Sequence, residues 1–335
     1  MKSRLLLVDG TNFFFKGNWG THDLTLNGKS IKCLYAFHLN IAALVRMFEK
    51  DNWECTTIVC WDGGHEERTR LSTEAVKAGI IPKAYKQERR EARETPEKRD
   101  EEEKCNFIQQ LEMAEELLKY TRIRQYRIKG EEADDLVGSF CKSNLGKFDD
   151  IVLVTTDKDY YQLLWDGVRI YNSTRDEFYD KDYLISKYGL ENADQWVDVG
   201  ALAGESGPSS DTIYGVPGIG TTFGCKLIKQ YKSVENLLAK SKEIYSDYIN
   251  KHGFEAFRER VKTGEYKPSK LKEAKALAYS DVLELAYKLK KMRTELPVEI
   301  PEIDPDWRKL EAFFQKVRFN VSTKNFDTLL RRGEE

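Results

Sequence analysis

The chain has 335 residues, with 54 Lys and Arg against 56 Asp and Glu, a net charge of −2, and 40% hydrophobic and 12% aromatic residues. That is apolar material for one large domain or a core with a smaller satellite, and the charge balance neither requires nor excludes a polyanionic partner. Cys33, Cys55, Cys60, Cys105, Cys141 and Cys225 never form a CxxC pair, which excludes a disulfide framework and a zinc signature and fits a reducing cytoplasm.

"RLLLVDG" (4–10) reads as a short buried strand ending in Asp-Gly. Its apolar run is too short for a signal peptide, and no stretch approaches a membrane span. Leu34, Phe37, Ile41, Leu44, Val45 and Phe48 fall at helical spacing. "TTIVCWDGG" (56–64) is a second strand, again ending in Asp-Gly. Apolar residues then nearly vanish over 83–104. Ile108, Leu111, Leu117 and Leu118 resume a helix, "IRQYRIKG" reads as a strand and "EEADDLVGSF" opens another helix. "DIVLVTTDKD" is a further strong strand with acids at its end. Strands alternating with helices predict a parallel α/β sheet. After about 185 the strand signals stop and the chain reads helical, first punctuated by "GVPGIG" (215–220).

In such a sheet ligands sit beyond the carboxyl ends of the strands. Asp9, Asp62, Asp157 and Asp159 stand there, and Glu132, Asp134 and Asp135 open the helix after a further strand, "IRQYRIKG", on the same rim. Two unit charges ~4 Å apart repel by about 4 kcal/mol at an effective dielectric of 20. Seven converging carboxylates therefore call for a compensating cation. Oxygen-only donors suit Mg²⁺ or Mn²⁺ rather than zinc.

Each acid also has a plainer reading. Asp-Gly after a strand is ordinary turn chemistry, and acids in a first helical turn complement the dipole. The coincidence of acids at four strand ends favours the metal reading. "LVDGT" invites comparison with aspartyl phosphatases, which use DxDGT, but Leu7 stands where their nucleophile belongs. Residues 83–93 carry Lys83, Lys86, Arg89, Arg90 and Arg93 against Glu88 and Glu91, whereas 94–103 are strongly acidic. This stretch is either a solvated tether or a basic gate able to meet a phosphate backbone.

"VDGTN", "YKQERR", "GEEADD", "TTDKD", "GVPGIG" and "MRTELPVEI" occur in the order seen in 5′ nucleases, a family that includes flap endonucleases, phage 5′ exonucleases and the 5′ nuclease domain of bacterial DNA polymerase I. The resemblance spans roughly 1–300 and looks like the stand-alone form. It implies a PIN-like parallel-sheet catalytic core over 1–185 with a helical arch at about 83–104. A helical DNA-binding subdomain over 186–335 would follow, with a helix–hairpin–helix, part of a helix-three-turn-helix, at about 210–231.

The resemblance places Asp9, Asp62, Glu132 and Asp134 in a first metal group, with Asp135 beside them. Asp157, Asp159, Glu205 and Asp211 form a second, so that two ions straddle the scissile phosphate. Here the chain departs from the family: Glu205 stands where aspartate is usual, and Asp211 comes several residues late. Lys86 and Arg89 match the basic pair that contacts the phosphate. Gly215, Gly218 and Gly220 would bring backbone close to the duplex, with a K⁺ between hairpin and DNA. Thr222 stands where lysine is common, and Lys226 and Lys229 are the substitutes at hand. Arg90 belongs to the gate; Tyr85 is either a base-stacking ring or a packed aromatic.

The implied activity is a 5′-3′ exonuclease and flap endonuclease, acting on branched or 5′-ended duplex DNA and on RNA–DNA hybrids at primers. It would work in the cytoplasm of a bacterial or phage-infected cell. Two alternatives remain at this level: a PIN-type RNA-processing nuclease, and a catalytically weakened structure-specific DNA-binding protein.

Overall fold

The computed structural model describes residues 2–16, 24–95, 105–205, 207 and 210–330. β1 (Lys2–Asp9) leads through α1 (Gly10–Lys16), a hairpin of β2 (Thr25–Leu26) and β3 (Lys29–Ser30), and α2 (Lys32–Phe48) to β4 (Trp53–Cys60). α3 (Glu66–Lys77), α4 (Gln87–Arg93) and α5 (Phe107–Lys119) precede β5 (Arg124–Tyr126). α6 (Ala133–Asn144) then leads to β6 (Asp150–Val154), a 3-10 turn over Lys158–Leu163, β7 (Val168–Asn172) and β8 (Glu177–Tyr179).

These strands build one sheet in the order β5-β4-β1-β6-β7-β8, parallel except at the last pair. Alternation along each strand explains its unbroken apolar run, because both faces are covered. Ile58, Leu7, Leu153 and Ile170 lie in one row across the sheet and pack on Leu136, Val137 and Phe140 of α6. Leu6, Val8, Val59 and Val152 face the other way onto α2, where Leu34, Phe37, Ile41 and Val45 are buried. The crossovers run to opposite sides of β1, so the topological switch lies at the carboxyl ends of β1 and β6.

The helical part comprises α7 (Lys181–Tyr188), α8 (Gln195–Ala203), α9 (Thr221–Tyr231), α10 (Val234–Ile244), α11 (Ser246–His252), α12 (Phe254–Thr263), α13 (Leu271–Ala278) and α14 (Ser280–Lys290). Leu202 of α8, Ile228 of α9 and Leu283 and Leu289 of α14 share the core cluster of the α6 face. Two helices depart from the expected 186–335 subdomain. α15 (Trp307–Lys316) and α16 (Thr323–Leu330) return to the α2 face. There Leu310, Phe313, Phe314 and Leu329 join its core, and Leu329 O accepts from Arg122 N at 2.9 Å.

Two of the sequence expectations reach beyond the described residues. Of the gate at 83–104, the structure describes 83–95, in which α4 begins at Gln87; residues 96–104 lie outside. Ser206, Pro208 and Ser209 of the Glu205–Asp211 stretch also lie outside. Among the described residues, no helix is long and apolar enough to cross a membrane.

Candidate active site

A cleft of about 660 Å³ opens at the carboxyl edge of the sheet, and Asp9, Asp62, Glu132, Asp134, Asp157, Asp159, Glu205 and Asp211 all line it, facing Lys86 and Arg89. Short hydrogen bonds set each carboxylate. Asp9, the last residue of β1, accepts from Asn12 N at 3.0 Å and from the Tyr160 hydroxyl at 3.0 Å. Asn12 Oδ1 accepts from Thr156 N at 3.2 Å, tying the end of β1 to the end of β6. Asp62 Oδ1 accepts from Ala133 N at 2.8 Å and so caps the start of α6. Asp157 Oδ1 accepts from Asp159 N at 2.9 Å.

Glu132, Asp134 and Asp135 offer oxygens within 4.8 Å of one another, yet they do different work. Arg68, 7% exposed on α3, reaches between them. Its Nη1 donates to Glu132 Oε2 at 2.5 Å and Asp135 Oδ2 at 2.6 Å, its Nη2 to Asp135 Oδ1 at 2.9 Å, and its Nε to Leu289 O at 3.0 Å. Asp135 also accepts from Arg293 N at 2.8 Å. Asp135, expected beside the first metal group, lies in this cluster, but its carboxylate turns inward onto Arg68 and does not line the cleft. Asp134 turns the other way. Replacing Arg68 with methionine leaves Glu132 and Asp135 buried without their cation. It should cost about 3–5 kcal/mol of folding stability, read by chemical denaturation at neutral pH.

Tyr85 is a second correction. The ring is 2% exposed, with its hydroxyl 3.3 Å from both Glu132 oxygens and 3.0 Å from Asp211 Oδ2. Of the two readings of this residue, the packed one holds; no face is free to stack on a base. Lys86 follows with φ of 55°, in the left-handed region, as the residue before α4. Its Nζ donates to Glu132 Oε1 and its backbone N to Asp211 O at 2.8 Å. Arg89 lies 3.6 Å from Asp211, and Arg90 is exposed beside a smaller cleft shared with Lys86 and Arg89. Asp211 therefore sits on the basic side of the cleft, bound to the base of the gate.

At the hairpin, Val216 and Ile219 are buried and anchor the turn, while Pro217, Gly218 and Gly220 are exposed. Gly218 has φ of +79°, and a Cβ on Gly220 would meet nothing within 4 Å, leaving room for a partner. Gly215 is different. A Cβ there would lie 2.4 Å from Gly204 N, so its bareness serves the crossing of two backbones, not contact with a duplex. Thr222, Lys226 and Lys229 are exposed along one face of α9. Lys275 Nζ donates to Pro217 O at 3.1 Å and Lys272 Nζ to Gly218 O. Two carbonyls of the turn therefore already accept from ammonium groups.

Arg68, Tyr160, Lys272, Lys275 and Lys290 are parts of the site that pattern reading misses. Lys290 Nζ lies 2.9 Å from Asp159 Oδ2 and also contacts Glu205 Oε1. "KLKKMR" gives no sign of it, since a basic run reads as solvated.

The donor set of the first acid group fits a hard divalent cation. Withdrawal from water, with Asp62 adding to it, pushes Asp9 from an ordinary 3.8 up to about 7. Desolvation does the same to Asp134, opposed by Arg68 and reinforced by Glu132, also to about 7. A carboxyl raised on folding binds its proton more tightly in the native state, so its stabilising contribution is present at acidic pH and is lost as pH rises from about 4 through about 7. The metal-free protein should accordingly melt at a lower temperature at about pH 8 than at about pH 5.5, and Mn²⁺ should restore the loss at the higher pH. Scanning fluorimetry with and without Mn²⁺ checks this.

Comparison with known proteins agrees with this geometry. The chain matches the model of the 5′-3′ exonuclease N-terminal resolvase-like domain over residues 4–189 and that of the 5′-3′ exonuclease C-terminal SAM fold over 191–312. It is 28% identical over 332 residues to thermostable DNA polymerase I of Thermus thermophilus, covering 98% of the chain but 34% of that polymerase. The chain thus spans about a third of the length of such relatives. It is 24% identical to the 5′-3′ exonuclease of Aquifex aeolicus, covering 99% of the chain and 98% of that protein. The fold is that of T5 5′-exonuclease with divalent zinc ions bound, at a TM-score of 0.64, 22% identity and coverage of 94% and 98%. It is also that of the Rad2 catalytic core in complex with DNA substrate, at a TM-score of 0.55, 17% identity and coverage of 98% and 91%. With a matched family domain spanning more than half its length, the chain belongs to the 5′-3′ exonuclease family.

Proposed function

We propose that the chain is a divalent-metal-dependent, structure-specific 5′ nuclease that removes 5′ flaps or RNA primers during DNA replication or repair in a bacterial or phage-infected cell. The observation that carries this is the convergence of Asp9, Asp62, Glu132, Asp134 and Asp157 on one cleft opposite Lys86 and Arg89. Among the described residues lining that cleft there is no cysteine or histidine, so no protein nucleophile with its own base is at hand. A Mg²⁺ or Mn²⁺ ion held by these acids supplies the activated water and positive charge that phosphodiester hydrolysis needs. The Tyr160 hydroxyl and Asn12 N hold Asp9 in its orientation, and Lys86 and Arg89 offer cationic donors to a phosphate entering the cleft.

The exposed turn Pro217–Gly220 and the Thr222, Lys226 and Lys229 face of α9 supply a surface for the duplex. Backbone N–H groups at the start of α9 can meet its phosphates. Hairpin and basic gate together favour DNA over the RNA substrate of a PIN-type enzyme. Product mapping on 5′-flap, nicked and RNA-primed duplexes with Mg²⁺ tests the reading. Release of the flap or primer from a 5′ end supports it; cleavage of single-stranded RNA alone, or binding without cleavage, contradicts it.

A further inference from the structure

Asp159 and Glu205, the acids assigned by resemblance to a second metal, already share a cation. Lys290 closes α14 and is 5% exposed. Its Nζ lies 2.9 Å and 3.1 Å from the two Asp159 oxygens and in contact with Glu205 Oε1. Its backbone carbonyl accepts from Gln162 Nε2 at 3.1 Å, fixing the end of α14 to the turn that carries Asp159. The aliphatic stem runs along Gly200 of α8, the helix that leads into Glu205. Both acids and the lysine are thus placed by elements packed against one another, not by a flexible surface arm. Glu205 stands where aspartate is usual, and its extra methylene reaches this ammonium.

We propose that Lys290 is a built-in cation in the place of a second divalent ion, leaving Asp9, Asp62, Asp134 and Asp157 to hold one. This rests on the metal-dependent reading of the cleft. A divalent ion needs several free carboxylate oxygens, and Lys290 takes three of the four that Asp159 and Glu205 offer. Asp159 and Glu205 therefore act here as the seat of a lysine, and Lys290 as a positioning residue that keeps the cleft's outer acids from repelling the phosphate.

The test is Mn²⁺ titration calorimetry on the metal-free full chain, which reads ion count without activity. The expected stoichiometry is about one for the natural protein and for Lys290→Arg, and about two for Lys290→Met, whose stem still packs but whose charge is gone. Glu205→Gln, which leaves the Lys290–Asp159 pair neutral, should keep the Mn²⁺ affinity within about twofold; a loss of about tenfold or more would make Glu205 a metal ligand and overturn the proposal. Two ions in the natural protein, or one ion in a folded Lys290→Met, would also overturn it while leaving the metal reading standing. No Mn²⁺ bound by the natural protein would overturn both.

Discussion

Asparagine in place of Asp134 is expected to slow single-turnover cleavage of a 5′ flap by ~10³-fold or more while leaving metal-free flap affinity within about twofold. Asp134 opens α6 with its carboxylate in the cleft, and Arg68 Nη2 lies 3.7 Å away, too far for a hydrogen bond. Its Oδ1 accepts from Asp135 N at 2.7 Å, and among the described residues its Oδ2 has no hydrogen bond within reach, unlike both oxygens of Asp135. The substitution keeps shape and removes charge. It also relieves repulsion among desolvated carboxylates, so the variant should fold at least as well as the natural protein above neutral pH. Lost activity then cannot come from lost structure. Asp9→Asn should behave alike, because its amide oxygen can still accept from Asn12 N while its amide N–H donates to the Tyr160 hydroxyl, which can turn to accept. Near-normal turnover in either folded variant would remove the first acid group from the chemistry.

Alanine in place of Lys86 is the second large effect: a fall of ~10²–10³ in the single-turnover rate, with ground-state affinity changed by no more than about threefold. Lys86 sits at the mouth of the cleft, held to Glu132 and to the ring of Tyr85, with Nζ 5.0 Å from the ring centre. Charge that grows on phosphate oxygens during attack meets an ammonium already in place. The exposed Thr222, Lys226 and Lys229 face proposed for the duplex is untouched, which is why binding should survive. Arg89→Ala should act in the same direction, and the double variant should be less than additive if both side chains touch one phosphate. Single-turnover kinetics at saturating enzyme separate rate from affinity. A normal rate with weakened binding would reduce Lys86 to a tether for the backbone.

How much of this was legible without coordinates differs from element to element. The runs "RLLLV" and "DIVLV" announce strands buried on both faces, and acids at their ends announce the rim. β7 and β8 escape notice because "VRIYN" and "EFY" are short, mix charged with apolar residues and lie at the sheet's edge. A helical reading covers α15 and α16 but cannot say that Phe313 and Leu329 close the α2 face instead of extending the rest of the helical part. The acids were assigned by motif, and motif spacing is blind to which oxygens are already taken. Arg68 on Asp135 and Lys290 on Asp159 are long-range ion pairs, made by chains 67 and 131 residues apart. Tyr85 shows the same limit: its neighbours in sequence are basic, whereas its neighbours in space are Glu132 and Asp211. Gly215 and Gly218 look alike in "GVPGIG", yet one is bare for Gly204 and the other is exposed on the turn.

The central claim is that the acids at the sheet's carboxyl edge make a metal-dependent centre for cutting at 5′ ends of DNA. Cleavage of a 5′-labelled flap duplex by the full chain, with Mg²⁺ or Mn²⁺ and then with chelator, tests it most directly. The predicted result is flap release that leaves a 5′-phosphate on the downstream product, requires the divalent ion and vanishes in Asp9→Asn. Cleavage that survives the chelator, or flap binding at saturating metal with no cut, would contradict it.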